Sequence, residues 1–326
     1  MGLTSDDLTL AIQTATTERP ALAEDFLYEG DVLMLVGEPG VGKSILTTQL
    51  ACSLTLGQPV YDFFNVPIPR CVYYLQIEGE PEQAYERMQR MASKVSRNST
   101  LLYWDARPQG IDLLDPIQTQ TILKEIAGWG RKPDLIVIDP LYQSVFGELA
   151  RELPSKAIIR FLGAARTLFK PCAFVLVHHS KRTSYTRDGK PIEEVDPYFG
   201  STWLKAYINT SFLLKPGKGQ YAGDQVMLVC KKSRGADVVR DLILHYDPET
   251  DTVSADAPVD EQSGYERVSK FLTECKKVGK DSNFFEVRDA CNISIRQLRY
   301  VQIALLRSGR LKCDKRSGHK RIWEPQ

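Results

Sequence analysis

A glycine-rich segment that ends in lysine and serine is the part of this sequence most able to do chemistry. Residues 37–45 have the sequence GEPGVGKSI, in the spacing GxxxxGK[ST], after an apolar run and before a helical pattern. Glycines let successive backbone N–H groups face an anion, and the N-terminus of the following helix adds its positive dipole end. The segment predicts an ATP and Mg²⁺ site built from Gly37, Glu38, Pro39, Gly40, Val41, Gly42, Lys43, Ser44 and Ile45. A chance glycine-rich turn is the alternative, which the flanking elements disfavour.

Two carboxylates stand at the ends of other apolar runs. Asp139 closes PDLIVID, where a buried aspartate is costly unless it is paired, so we assign it with Ser44 to Mg²⁺. Glu78 follows CVYYLQI and precedes a helix, where it could orient or deprotonate a water. An ordinary strand-end aspartate is the alternative for Asp139.

Alternating strand and helix patterns must position these residues. Strands are predicted at 32–36, 72–77, 135–138, 173–177, 211–214 and 226–230, and helices at 44–56, 80–93, 117–128 and 155–169. Repeated βα units predict an α/β fold with a mostly parallel sheet.

The composition is that of a soluble globular protein. Of the 326 residues, 43% are hydrophobic and 25% are charged. A membrane-spanning helix needs about 18 consecutive apolar residues, and no apolar run in the sequence comes near that length. The first residues lack the cationic start and apolar stretch of a secretory signal, so a cytoplasmic protein is expected. The seven cysteines are scattered singly, which favours reduced thiols over a zinc site.

Charge is unevenly distributed along the chain. Residues 262–326 carry 15 Lys and Arg against seven Asp and Glu, a net +8, within a total of only +1. This asymmetry favours a basic nucleic-acid-binding appendage on an enzyme. The expected division is an N-terminal segment (1–19), a core (20–250), an exposed linker (251–263) and a C-terminal domain (264–326).

The order of motifs over roughly residues 20–245 resembles RecA-like ATPases of the DnaB superfamily and, among them, the small plasmid RepA-type hexameric helicases. The resemblance implies a RecA-like P-loop core in which Glu78 is the catalytic base. It makes Tyr85 and Arg87 candidates for stacking on adenine, with a packed tyrosine and a surface arginine as the alternative. It also implies a polar sensor at His178 and His179. Strand geometry allows only one of them, His179 in our assignment, to face the γ-phosphate, and a purely structural pair is the alternative.

Two basic segments match further family motifs. A polar loop ending in Gly-Ser resembles the DNA-facing loop, which implies that Lys181, Arg182, Arg187 and Lys190 contact single-stranded DNA while Tyr185 stacks on a base. Lys232 and Arg234 resemble a Lys-x-Arg pair that reaches the ATP site of the neighbouring subunit, with Lys231 as a substitute for Lys232. A mobile surface loop and an exposed basic turn are the alternatives.

The C-terminal pattern of three helices and a hairpin resembles a winged helix. Residues 294–308 would form its recognition helix with Arg296 and Arg299, and Lys315 and Arg316 would lie in the wing. A protein-docking module is the alternative.

Three hypotheses follow. The first is a ring-forming, hexameric, ATP-hydrolysing motor and helicase on single-stranded DNA, with Mg²⁺ and ATP as cofactors. The second is a non-translocating ATP-dependent DNA-binding, recombination or assembly factor. The third is a KaiC-like signalling ATPase without nucleic acid.

Overall fold

The chain is described by a computed structural model at residues 19–91, 100–146, 152–180, 202–217, 225–234, 241–255, 262–277, 282–291, 298, 301, 305, 311–313 and 322–325. Up to residue 255 its strands are β1 (Ala21–Ala23), β2 (Leu27–Tyr28), β3 (Val32–Gly37), β4 (Val72–Gln76), β5 (Leu102–Ala106), β6 (Leu135–Asp139), β7 (Ala173–His179), β8 (Thr210–Pro216), β9 (Gln225–Ser233), β10 (Asp241–Asp247) and β11 (Thr252–Ala255). Its helices there are α1 (Lys43–Leu56), α2 (Pro81–Met91), α3 (Pro116–Gly128), α4 (Glu152–Phe169) and α5 (Thr202–Tyr207), with a 3₁₀ turn at Leu141–Ser144.

Nine of these strands form one sheet in the order β11-β10-β9-β8-β3-β7-β6-β4-β5. Neighbours from β8 to β5 pair in parallel, and those from β8 to β11 pair antiparallel. The sheet is thus mostly parallel, which confirms the predicted α/β fold.

Both faces of the sheet are covered, which explains why the central strands are continuous apolar runs. On one face Leu33, Leu35 and Val137 pack with Leu46 and Leu50 of α1. On the other face a second cluster joins alternate residues of the same strands to α3 and α4, including Met34, Val36, Ile136, Ile138, Ile126, Ile158 and Phe161. The strand ends that carry Gly37, Gln76 and Asp139 therefore share one edge of a rigid layer.

Several strands, among them β5 and β11 of the large sheet, were not predicted from the sequence. The edge strand β5 was missed because its residues, LYWDA, are partly exposed and mix apolar with polar types. The expected linker beginning at residue 251 is wrong for Thr252–Ala255, which form β11 and pair with β10. Gln49 of α1 fixes this strand, because its side chain donates to Val253 O at 2.9 Å and accepts from Val253 N at 2.7 Å.

The C-terminal part has its own small sheet and core. It contains α6 (Gln262–Lys277), β12 (Ser282–Asn283), α7 (Phe284–Cys291), β13 (Leu311–Cys313) and β14 (Ile322–Pro325), with an antiparallel sheet of order β12-β14-β13. Helical Leu298, Val301 and Leu305 pack with Val268 and Val287. The predicted contacts Arg296, Arg299, Lys315 and Arg316 lie outside the described residues.

Among the described helices, none has the length and apolar character needed to span a membrane.

Candidate nucleotide-binding site

The glycine-rich segment forms a tight loop between β3 and α1. Gly40 and Gly42 have φ angles of 81° and 95°, a left-handed conformation that favours glycine. At Gly37 a Cβ atom would lie 2.8 Å from Val41 Cγ1, so no larger side chain fits without displacement. No side chain caps the N-terminus of α1, where Gly42 is the cap residue. Its first N–H groups thus remain available to an anion.

Lys43 lies buried at the base of this loop, with 5% of its surface exposed. Its Nζ donates to Gly37 O and Glu38 O, both at 2.8 Å, and lies 3.3 Å from His179 Nδ1. Burial lowers the pKa of Lys43 to about 8, against the opposing effect of Asp139, Glu78 and Glu38. The lysine is therefore positioned before any phosphate binds, and an anion would restore its charge.

Asp139 ends β6 beside Ser44. Burial raises the pKa of the Asp139 carboxyl, while hydrogen bonds from Tyr74 and Ser44 and the charge of Lys43 act in the opposite direction. The described residues contain no group of three or more His, Cys, Asp or Glu side chains able to hold a metal alone. One hydroxyl and one carboxylate fit Mg²⁺, which usually takes few protein ligands and completes its shell with water and phosphate oxygens.

His179 lies between the lysine and the expected base. Its Nε2 is 3.7 Å from Glu78 Oε2, and Tyr142 packs edge-on against its ring at 5.0 Å. Because an ammonium can only donate, His179 Nδ1 must accept from Lys43, which leaves the imidazole proton on Nε2, facing Glu78. Burial and the Lys43 charge lower the pKa of His179, consistent with this neutral form. His178 instead is buried, as expected for the residue on the opposite face.

These residues surround a cavity of about 460 Å³. The residues expected from the sequence that line it are Pro39, Gly40, Gly42, Lys43, Ser44, Ile45, Glu78, Arg87, Asp139 and His179. Sequence reasoning missed Thr48, Tyr74, Gln76 and Trp104, which line it as well. Alternation along β4 could have indicated Tyr74 and Gln76 from the position of Glu78, but Trp104 lies on β5, which was not predicted.

Other expected site residues lie elsewhere. Tyr85 is 48% exposed and does not line the cavity, unlike its neighbour Arg87. Lys232 and Arg234 donate hydrogen bonds to the backbone oxygens of Lys205 and Ala206 in α5, and neither lines the cavity. Lys231 is exposed. The loop residues Lys181, Arg182, Tyr185, Arg187 and Lys190 lie outside the described residues.

A phosphate loop and a mostly parallel sheet with helices on both faces define a RecA-like P-loop ATPase. The chain belongs to the family described as the AAA domain, whose model matches residues 3–184.

Solved structures share the fold at low sequence identity. A DnaB-like replicative helicase is 13% identical, with a TM-score of 0.54 over 76% of this chain and 66% of that one. The ATPase domain of G40P is 13% identical, with a TM-score of 0.53 over 76% of this chain and 95% of that one. A KaiC-like protein from the archaeon Pyrococcus horikoshii OT3 is 10% identical, with a TM-score of 0.50 over 74% and 99%. No curated protein matches the chain.

Proposed function

We propose that this protein is an ATP-hydrolysing ring motor, with six subunits in its ring, that moves on single-stranded DNA and acts as a helicase in replication or in a mobile element. The observation that carries the ATPase chemistry is the single cavity that joins Lys43, the Ser44–Asp139 pair and Glu78. The DNA-directed part is supported by the fold shared with the helicase structures and by the basic C-terminal segment.

Each functional group at the cavity is assigned one role in ATP binding or hydrolysis. Lys43 and the N–H groups of the loop bind the phosphates, and Arg87 of α2 contacts the adenine ring. Ser44 and Asp139 hold Mg²⁺, which supplies charge stabilisation to the transferring phosphoryl group when bound. Glu78 orients the attacking water and accepts its proton. His179 contacts both Lys43 and Glu78, so phosphate binding at Lys43 changes the position of the catalytic base Glu78 through His179.

The active site is completed by the neighbouring subunit. In the single chain Lys232 and Arg234 neutralise the carbonyl end of α5, a favourable position for cations. In the ring these two side chains turn to the ATP of the adjacent subunit and stabilise the charge that develops during phosphoryl transfer. Because α5 directly follows residues 181–201 in the chain, the release of α5 by Lys232 and Arg234 also affects the expected DNA loop.

Nucleic acid is contacted at two places in this proposal. Lys181, Arg182, Arg187 and Lys190 bind the backbone of the single strand in the central channel. The C-terminal part is a winged helix that binds duplex DNA through Arg296, Arg299, Lys315 and Arg316. Its small antiparallel sheet beside a helical core supports that assignment.

A second candidate function rests on the same C-terminal part. A domain with net charge +8 also suits a non-translocating, ATP-dependent DNA-binding, recombination or assembly factor. Strand displacement on a forked DNA substrate separates the two, with Lys43→Ala as the blank. ATP-dependent release of the labelled strand supports the motor. Hydrolysis stimulated by DNA without any strand release favours the second function, and hydrolysis indifferent to DNA rejects both.

A further inference from the structure

Three side chains that line the cavity connect Asp139 to the backbone at Glu78. The register of the sheet sets Trp104 of β5 beside Tyr74 of β4, and Gln76 beside Asp139 of β6. Tyr74 and Gln76 are two residues apart on one strand, so they share a face. The Trp104 ring stacks on Tyr74 with centroids 3.9 Å apart and planes 9° from parallel, and its Nε1 donates to Gln76 Oε1 at 2.7 Å.

One arm of this arrangement reaches the metal carboxylate. The Tyr74 phenol, which is 1% exposed, donates to Asp139 Oδ2 at 2.5 Å and lies 2.8 Å from Thr47 Oγ1. Thr47 Oγ1 also lies 3.4 Å from the same carboxylate oxygen. With one oxygen held by the Tyr74 phenol, the orientation of the carboxylate toward Ser44 is set before a metal arrives.

The other arm reaches the backbone that carries the expected base. Gln76 Nε2 donates to Glu78 O at 2.9 Å, at a turn where Gly79 has a φ of 79°. The Glu78 side chain is 47% exposed, and its contacts are with His179 and Tyr142 at the rim of the cavity. Its position depends on this turn, and the Gln76 amide is oriented by Trp104 because the indole occupies its oxygen.

We propose that Tyr74, Gln76 and Trp104 form a positioning unit with two separable arms, in which Tyr74 sets the affinity for Mg²⁺ and Trp104, through Gln76, sets the placement of Glu78. The inference rests on the proposed ATP hydrolysis. None of the three residues reacts, because they act through Asp139 and Glu78.

Two conservative substitutions remove one arm each and keep the aromatic stack. Tyr74→Phe loses only the phenol, so the Mg²⁺ concentration for half-maximal turnover should rise about 10- to 100-fold, the usual range for removing a partner of a metal ligand. Its turnover at saturating Mg²⁺ should stay within about twofold of the unsubstituted protein. Trp104→Phe removes the indole N–H and leaves a smaller aromatic ring beside Tyr74, so kcat should fall about tenfold or more while the Mg²⁺ requirement and KM for ATP stay unchanged.

A matched control lies on the same strand. Tyr73→Phe removes an equivalent phenol, which donates to Asp105 at 2.6 Å on the face away from the cavity, and it should change neither parameter. A cooperative thermal unfolding transition is the control that each of the three variants is folded.

Binding of a fluorescent, non-hydrolysable ATP analogue across Mg²⁺ concentration gives a readout independent of turnover. A Mg²⁺ dependence shifted only in Tyr74→Phe supports the first arm even if the protein hydrolyses no ATP, in which case the proposed function fails by itself. If Tyr74→Phe binds the analogue as Tyr73→Phe does, or if both site variants change the same parameter by the same factor, the two-arm unit is wrong.

Discussion

The Lys43 ammonium has three acceptors around it before any nucleotide arrives. It is nonetheless buried, and burial lowers its pKa from 10.5 to about 8. The residue that we propose binds the phosphates is thus held in a place where its own charge is weakly favoured. The phosphates of ATP supply the missing negative charge, so binding and protonation are linked.

This linkage predicts how ATP affinity depends on pH. A phosphate beside Lys43 raises its pKa, so between about pH 8 and the raised value the complex binds more protons than the free protein. ATP binding should therefore take up protons above about pH 8, and affinity should fall as pH rises further, by less than tenfold per pH unit.

Calorimetry in buffers of different ionisation enthalpy measures the proton uptake. Lys43→Arg serves as the control, because arginine stays charged throughout this range, and its affinity should be flat there. An equal decline in both proteins would assign the effect to another group.

Residues at the site differ in how far sequence could locate them. Gly37 to Ile45 could be located from the sequence because a phosphate loop is a local pattern whose spacing encodes its geometry. Asp139 and Glu78 could be located because charged residues at the ends of apolar strands are unusual. Trp104 could not be located, since its place beside Tyr74 arises from a strand order, β6-β4-β5, that only tertiary pairing defines.

At the scale of elements, the last strand of the large sheet is the instructive case. The segment around Thr252–Ala255 follows a polar stretch and has the composition of a linker, yet it closes the antiparallel side of the sheet. Its outer backbone groups at Val253 are satisfied by Gln49 from a helix about 200 residues earlier in the chain. Such a long-range side-chain contact has no local signature, which explains why the sequence prediction ended the core too soon.

Gln49 should therefore contribute strongly to stability. Gln49→Ala leaves the N–H and C=O of Val253 without these partners, and with about 1–3 kcal/mol for each buried unsatisfied group we expect a loss of about 3 kcal/mol. Urea unfolding of the full chain measures this loss. Gln120→Ala makes the same change on the exposed surface of α3 and should be within about 0.5 kcal/mol of the unsubstituted protein. Equal stability of the two variants would show that the contact with β11 is dispensable.

At the scale of the whole molecule, the cavity brings together Lys43, Ser44, Asp139 and Glu78, while Lys232 and Arg234 donate hydrogen bonds to α5. The proposal that these cations act across a subunit boundary predicts complementation between two inactive variants. A Lys43→Ala subunit lacks an ATP site but keeps its cations, and an Arg234→Ala subunit has the reverse defect.

Mixing these two variants in equal amounts should restore about a quarter of the normal turnover, because about one interface in four in a random ring combines both intact halves. The matched control is a mixture of Lys43→Ala with Asp139→Ala, whose defects lie in the same half-site and which should stay inactive. No recovery in the first mixture, with assembly shown by sedimentation, would mean that Arg234 does not act on a neighbour.

The most direct test of the account is the ATPase rate per subunit as a function of protein concentration, with and without single-stranded DNA, with Lys43→Ala as the blank. The account predicts a rate that rises cooperatively with concentration as rings form, that increases further with single-stranded DNA, and that is lost in Lys43→Ala. A rate that is independent of both concentration and DNA would contradict the interface-built, DNA-directed motor and leave an ATPase that acts as a single chain.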